Sequence, residues 1–410
     1  LFVPQVVLAT EPTQQIGRLL MEELASYMEP GARCYTKEEV DRAMRRVQGL
    51  SFGQRRDIGG GWWCTPHPSG YCLGGANWVV ESPTHKVSIV GASAVALPHV
   101  QRHPKQLSLQ MLQRADLAIL GDLLPRERDV PGAEAGRPMS DICTGVSQTL
   151  VRGGNVLMPI VPCGASIDVI HALGSHLPSA GLSHVPLYLV SRAGHGILGY
   201  LEILAEWVNA QRRARVYLPE SPFLHNDMMA SNRLQVVSDV WELNAKRYTE
   251  PCVVLAGHPS LRFGPVLHFL RLWAANTEDA VILTDPLWNA VKGDSGTALL
   301  KPHQPLKMKK MCAPLDYRLS MMQVSNLMAS LSPTATVASS HWFPNPAPET
   351  LLTVYHGPLS TATVASPVKD TPATMDVGLA STLRVERVGD VPTVGVSCRL
   401  RDKDGTLTLE

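Results

Sequence analysis

The stretch PSGYCLGGANWVVESPTHKVSIVGA, residues 68–92, decides how the rest of the chain is read. Ser69-Gly70 and Gly74-Gly75 supply the backbone freedom of a turn. An apolar strand follows from Asn77 to Val80, the chain turns at Ser82-Pro83, and a second strand returns from Val87 to Val90. The result is a hairpin with two loop ends, one carrying Tyr71 and the other Ala92. Neither is a suitable zinc donor. An alanine methyl has no lone pair, and a phenol with an ordinary pKa of about 10 is a poor substitute for imidazole.

Upstream of the hairpin, Val6 to Ala9 reads as a strand, and Glu11-Pro12 opens a helix that Pro30-Gly31 stops. Thr36 and Glu39 form a capping box for a second helix. Gly59-Gly60-Gly61 marks a tight turn before Trp62-Trp63. Downstream, Met111 to Asp116 is short and helical, Leu117 to Leu120 is a buried strand, and Pro125 to Asp141 is a polar linker.

Beyond the linker, strands and helices alternate. Helices are expected at Ile142–Val151, Ser166–Leu173, Gly196–Ala210 and Val266–Ala275. Strands are expected at Asn155–Ile160, Val185–Val190, Cys252–Ala256 and Ala280–Thr284. Apolar strands between helices imply a parallel sheet covered on both faces. One more strand–helix–strand unit runs from Leu306 to Val337, and Phe343 to Asp376 is irregular or a linker. Val385 to Leu409 alternates like two antiparallel strands around an Asp404-Gly405 turn.

Composition narrows the function classes. The 410 residues are 45% hydrophobic and 18% charged, as in a soluble globular protein of two or three domains. A net charge of +1 provides no global field for nucleic acid, so any such contact needs a local patch. The eight cysteines are scattered without a C-x-x-C pair and read as free thiols of a reducing compartment. No Asn-x-Ser/Thr acceptor occurs. The start LFVPQVVLA reads as a strand entered halfway, neither signal peptide nor membrane span, and the chain is expected to be a piece of a longer protein.

The runs TEPTQQIGRLLMEEL (10–24), GGNVLMPIVP (153–162), LSHVPLYLV (182–190), AEWVNAQRRARVYLPE (205–220), AGHPSLRFGPVLHFLRLW (256–273) and CAPLDYRLSMMQVS (312–325) carry a more specific signal. Together with the hairpin frame, they resemble the metallo-β-lactamase/β-CASP family, in particular its non-catalytic members. The resemblance implies an α/β fold: a metallo-β-lactamase-like αββα domain, an inserted parallel α/β β-CASP domain, and a small C-terminal β-containing segment. It places the first domain at 1–124, the insertion at 125–300, the return at 301–342, and a linker with the start of a C-terminal region at 343–410. It further implies a nuclear scaffold that pairs with a catalytic β-CASP endonuclease in RNA 3′-end processing.

The same resemblance implies a degenerate site with no metal and no cofactor. The family's two hairpin ligands fall on Tyr71 and Ala92. The first β-CASP acid falls on Gly121, with Asp122 one residue on. The second-motif histidine falls on Arg318, a fixed cation that neither ligates zinc nor shuttles protons near neutral pH. The third falls near Ser339-Ser340, with His341 adjacent. The alternative is a zinc-dependent RNA hydrolase using Asp122 and His341, against which Ala92 weighs because a bridging carboxylate is hard to replace.

Other candidates are weaker. His99 and His103 stand four apart but lack a third ligand, and read as a solvated loop or helix end. His258, just past a strand end, is read as fixing its loop by hydrogen bonds. There is no G-x-S-x-G elbow or Walker loop, and Gly293–Gly296 is only a turn. Two basic clusters are candidates for polyanion contact: Arg212, Arg213 and Arg215, and Lys307, Lys309 and Lys310. The arginines are expected to close a helix and the lysines to guard a strand edge.

Overall fold

In the computed structural model the described residues are 6–28, 33–95, 104–124, 136–216, 221, 223–243, 248–286 and 297–338, with short strands between 353 and 409. The first part comprises β1 (Val7–Thr10), α1 (Glu11–Tyr27), α2 (Lys37–Met44), β2 (Val47–Leu50), β3 (Arg56–Gly59), β4 (Trp62–Pro68), β5 (Ala76–Glu81), β6 (Lys86–Val90) and β7 (Leu117–Leu120). Proline in the first turn starts α1, and the Thr36–Glu39 capping box starts α2, as expected. The decisive hairpin is β5–β6, paired antiparallel with Trp78 opposite Ile89. Its turn closes where the Ser82 N–H donates to the His85 carbonyl at 2.7 Å.

The second part comprises α3 (Arg137–Val151), β8 (Val156–Pro159), α4 (Ala165–Ser179), β9 (Leu187–Val190), α5 (Gly194–Glu202), α6 (Ala210–Val216), α7 (His225–Ala230), β10 (Leu234–Val237), β11 (Val253–Ala256), α8 (Val266–Trp273), β12 (Ala280–Leu283) and α9 (Thr297–Leu300). Then come β13 (Lys309–Cys312), α10 (Met321–Leu331) and β14 (Ala335–Ala338).

Two six-stranded sheets result. The first runs β14-β7-β6-β5-β4-β3, parallel from β14 to β6 and antiparallel from there to β3. The second runs β10-β9-β11-β8-β12-β13, with every pairing parallel. Alternate strand residues of the second sheet feed two cores. Val156, Met158, Leu187, Leu189, Val253 and Leu255 pack toward α3, α4 and α5. Leu157, Tyr188, Val190 and Val254 pack toward α8. This is the doubly covered parallel sheet that the apolar runs predict. A third core lies between the first sheet and α10.

The two parts are tied together. Ile16, Leu19 and Leu20 of α1 pack against the core of the second sheet. The buried Glu23 carboxylate accepts from the Ser191 hydroxyl at 2.6 Å and the Ala193 N–H at 3.3 Å, at the start of α5.

Several expectations are corrected. The Leu306–Val337 unit is split between the sheets: β13 pairs with β12 in the second, and β14 with β7 in the first. The polar linker is shorter than read, because α3 already begins at Arg137. The single helix expected at 196–210 is α5, a turn at Ala205–Trp207 and then α6. Residues 385–409 hold two short hairpins, Val385–Val388 with Val391–Val394 and Leu400–Lys403 with Thr406–Leu409. The Asp404-Gly405 turn lies outside the described residues, as do residues 125–135 of the linker and Gly293–Gly296.

Candidate functional site

One edge of the first sheet collects the positions that the sequence singled out. Strands β6, β7 and β14 are parallel and in register, with Val90 opposite Leu120 and Leu120 opposite Ala338. Ala92 and Asp122 therefore sit two residues beyond aligned strand ends. Because β5 runs antiparallel to β6, the loop before β5, with Tyr71, comes to the same edge. Glycine is obligatory at two points of that loop. Gly70 and Gly74 both have positive φ, +73° and +78°. A Cβ on Gly70 would strike the Ala94 carbonyl, and one on Gly74 would meet Pro12 at 2.7 Å. The Ser69 hydroxyl accepts the Tyr71 N–H at 3.3 Å. Below, the Asn77 carbonyl oxygen accepts from the Gly91 N–H at 3.0 Å and the Ser93 hydroxyl at 2.9 Å.

Arg318 reaches this edge from the loop before α10 and lies between two carboxylates. Its Nε and Nη2 donate to the two oxygens of Asp316 at 2.9 and 2.7 Å, a bidentate fork. Nη1 donates to Asp122 at 2.6 Å. Arg318 and Asp316 are nearly buried, their side chains 9% and 5% exposed, whereas Asp122 is 57% exposed. Hydrogen bonding to Asp316 holds the guanidinium above its ordinary pKa, against the opposing pull of burial. Asp122 is presented by a backbone with φ of +49°, and the Leu124 N–H behind it bonds the Leu319 carbonyl at 3.0 Å. Tyr71 lies within the field of this cluster. Burial first, then the Asp316 carboxylate, pushes its phenol up to about 12, with Arg318 opposing.

Residues 167–287 match the Beta-Casp domain family. Integrator complex subunit 9 of Homo sapiens is 35% identical over an alignment of 367 residues that covers 82% of this chain and 54% of that protein. The chain belongs to the Integrator complex subunit 9 family. Its Nematostella vectensis relative, an Integrator complex subunit 9 homolog, is 33% identical over 80% of this chain and 52% of its own. A more distant relative, the probable cleavage and polyadenylation specificity factor subunit 2 of Drosophila melanogaster, is 25% identical over 68% of this chain and 36% of its own. The chain spans about half the length of the Integrator relatives it matches.

For a member of this β-CASP lineage, the donor chemistry at the edge does not fit a zinc ion. Ala92 and Gly121 offer no side-chain donor, Tyr71 is held as a neutral phenol, and Asp122 is engaged by a cation. Among the described residues no group of three or more His, Cys, Asp or Glu is placed to hold a metal. Ser339, Ser340 and His341, like His99 and His103, lie outside the described residues.

The remaining candidates separate. His258 accepts the Ser260 N–H at 3.1 Å, contacts the Ser260 hydroxyl at 2.9 Å and packs on Phe263. Burial lowers its pKa, so it serves its own loop as a neutral ring. Lys309 and Lys310 are exposed on β13, an edge strand, and Lys307 precedes it. Arg212 and Arg213 do not close a helix. They stand in the opening turn of α6, where the Asn209 side chain accepts the Arg212 N–H at 2.9 Å, so the dipole does not favour them there. The Arg215 side chain is outside the described residues. Sequence reasoning missed Asp316 and Glu23. Both lie within recognised runs, Glu23 directly after Glu22, and no spacing marks their partners.

Proposed function

We propose that this chain belongs to a non-catalytic nuclear subunit of the Integrator complex. In this reading it pairs with the complex's catalytic β-CASP endonuclease in small nuclear RNA 3′-end processing and in attenuating RNA polymerase II transcripts. One observation carries the non-catalytic part: the Arg318 guanidinium lies between Asp122 and Asp316, where the fold family would place a histidine ligand. A fixed cation satisfies those carboxylates without a metal. The names of the relatives support the complex, and the retained glycine frame supports a scaffold whose shape is kept while its donors are replaced. The accompanying division is a metallo-β-lactamase-like domain at 1–124 and 301–342 around a β-CASP insertion. Sheet membership favours assigning residues up to β13 to the insertion.

The test is zinc per chain, by elemental analysis, on the full-length protein copurified with its endonuclease partner. The expected value attributable to this subunit is near zero, and Arg318→His alone does not raise it, since Ala92 still lacks a donor. One or two zinc ions that vanish on Asp122→Ala or His341→Ala would overturn the reading in favour of a hydrolase. Failure to copurify with the endonuclease would overturn the pairing.

A further inference from the structure

The second sheet leaves one of its helices with an outer face that is half apolar. In α8 the residues Val266, Phe269, Leu270 and Trp273 turn inward onto the sheet. Between them, at helical spacing, Leu267, His268, Arg271 and Leu272 form the opposite face. A solvent-facing stripe is ordinarily polar, yet Leu272 is 56% exposed. Beside it, past the end of β10, Trp241 is 84% exposed, the most exposed large hydrophobic side chain among the described residues. The two line one groove of about 610 Å³ together with Arg271 and the Arg192–Asp239 pair. None of Tyr71, Asp122, Asp316 and Arg318 lines it.

Trp241 stands on a turn that its neighbours hold. Val240 and Leu243 pack against the core beneath α8. The Leu243 N–H donates to the Val240 carbonyl at 3.1 Å, and the Ser238 N–H to the Glu242 carboxylate at 3.2 Å. Arg192 donates to Asp239 at 3.0 Å and pins the start of the turn. The indole is therefore presented on a preformed surface, which lowers the ordering cost of binding.

Charge decides what covers it. Asp239, the one acid lining the groove among the described residues, is taken by Arg192. Arg271 is exposed and makes no ion pair or hydrogen bond among the described residues. A nucleic-acid strand needs a row of cations for its phosphates and amides to read its bases. Here one arginine is unpaired, and no lysine, asparagine or glutamine lines the groove among the described residues. A second copy of this face has no free carboxylate to offer Arg271.

We propose that this groove docks an acidic, apolar segment of another protein. A bulky apolar side chain covers Trp241 and Leu272, and a neighbouring carboxylate takes the Arg271 fork. Tryptophan and arginine are the residue types that dominate binding energy at protein interfaces. The proposal stands apart from the scaffold and pairing readings above, which zinc content and copurification test separately.

The experiment is selection of a phage-displayed library of random linear peptides on the full-length protein, with the Trp241→Ala protein as the counter-selection. Enriched peptides are expected to set Asp or Glu close to Trp, Phe, Leu or Ile. Binding of a labelled selected peptide is then read by fluorescence anisotropy. Trp241→Ala should weaken it at least ~10-fold, as loss of an aromatic anchor does. Arg271→Glu should weaken it similarly, and replacing the peptide's acid by lysine should restore binding to that variant. Leu272→Ser gives a smaller loss and provides the readout if another variant does not fold. Lys310→Gln, on the opposite edge of the sheet, leaves binding unchanged. No enrichment over the Trp241→Ala protein, enriched peptides without an acid, or equal binding to the Arg271→Glu and Lys310→Gln proteins overturns the proposal. So does an oligouridylate that displaces the peptide at equal concentration, or a dimer in sedimentation that Arg271→Glu dissociates.

Discussion

The two six-stranded sheets treat their strands differently. In the second sheet β8, β9, β11 and β12 are buried at all four positions. In the first sheet β7 alternates, with Ala118 and Leu120 buried and Leu117 and Ile119 half-buried. A strand covered on both faces has no spare face for chemistry, so its sequence reports packing alone. At β7 the first sheet is covered fully on one side only. What distinguishes this chain chemically sits at the end of those strands, on Ala92, Asp122, Arg318 and Tyr71.

The largest effect should come from the doubly covered sheet. Leu255→Ala, at a site with no exposure, is expected to cost about 2–5 kcal/mol. Ile119→Ala, half-buried in β7, should cost about half as much. Urea unfolding of the pair measures this, and equal losses would break the contrast between the sheets.

The site edge gives the next effect. Arg318→Ala leaves Asp316 buried without its cation and should cost about 3 kcal/mol or more, as broken buried pairs do. Asp122→Asn touches the exposed end of the same cluster and should cost below ~1 kcal/mol. If the two variants unfolded at the same denaturant concentration, the cluster would be a surface ion pair rather than a buried fork.

The smallest effect is a pH dependence. The folded Tyr71 phenol, held near 12 by burial, stays neutral where an unfolded phenol near 10 ionises. Its stabilisation is complete below about pH 10 and is lost as pH rises toward 12. Tyr71→Phe should therefore flatten the fall of melting temperature across that window. An unchanged slope would mean that Tyr71 does not sense the buried edge.

This contrast also explains which features were legible in the sequence. Strands such as VVLA and AVIL announce themselves because both faces are apolar. Strand β4, WWCTPHP, was hidden by Pro66 and Pro68, residues that argue against a strand. The short HNDMMA helix and the LQVV strand after it carry too few periods to stand out. For β13 the strand was readable but its sheet was not, since alternation says nothing about the neighbour. The frame around Tyr71, Ala92 and Asp122 could be read from glycines and strand ends. The Asp316 fork could not, because a carboxylate two residues from an arginine has no characteristic spacing.

The Glu23 tie has a consequence for how the chain is made. Its carboxylate belongs to α1, yet its Ser191 partner lies 168 residues later. The first sheet is likewise completed only by β14, and the Gln113 amide reaches the Ser330 carbonyl across 217 residues. Glu23 must therefore wait, partly unsatisfied, until α5 is synthesised, and the β7 edge until the second sheet and α10 are made. A nascent chain released before β14 leaves the β7 edge open, the state that chaperones and proteases recognise first.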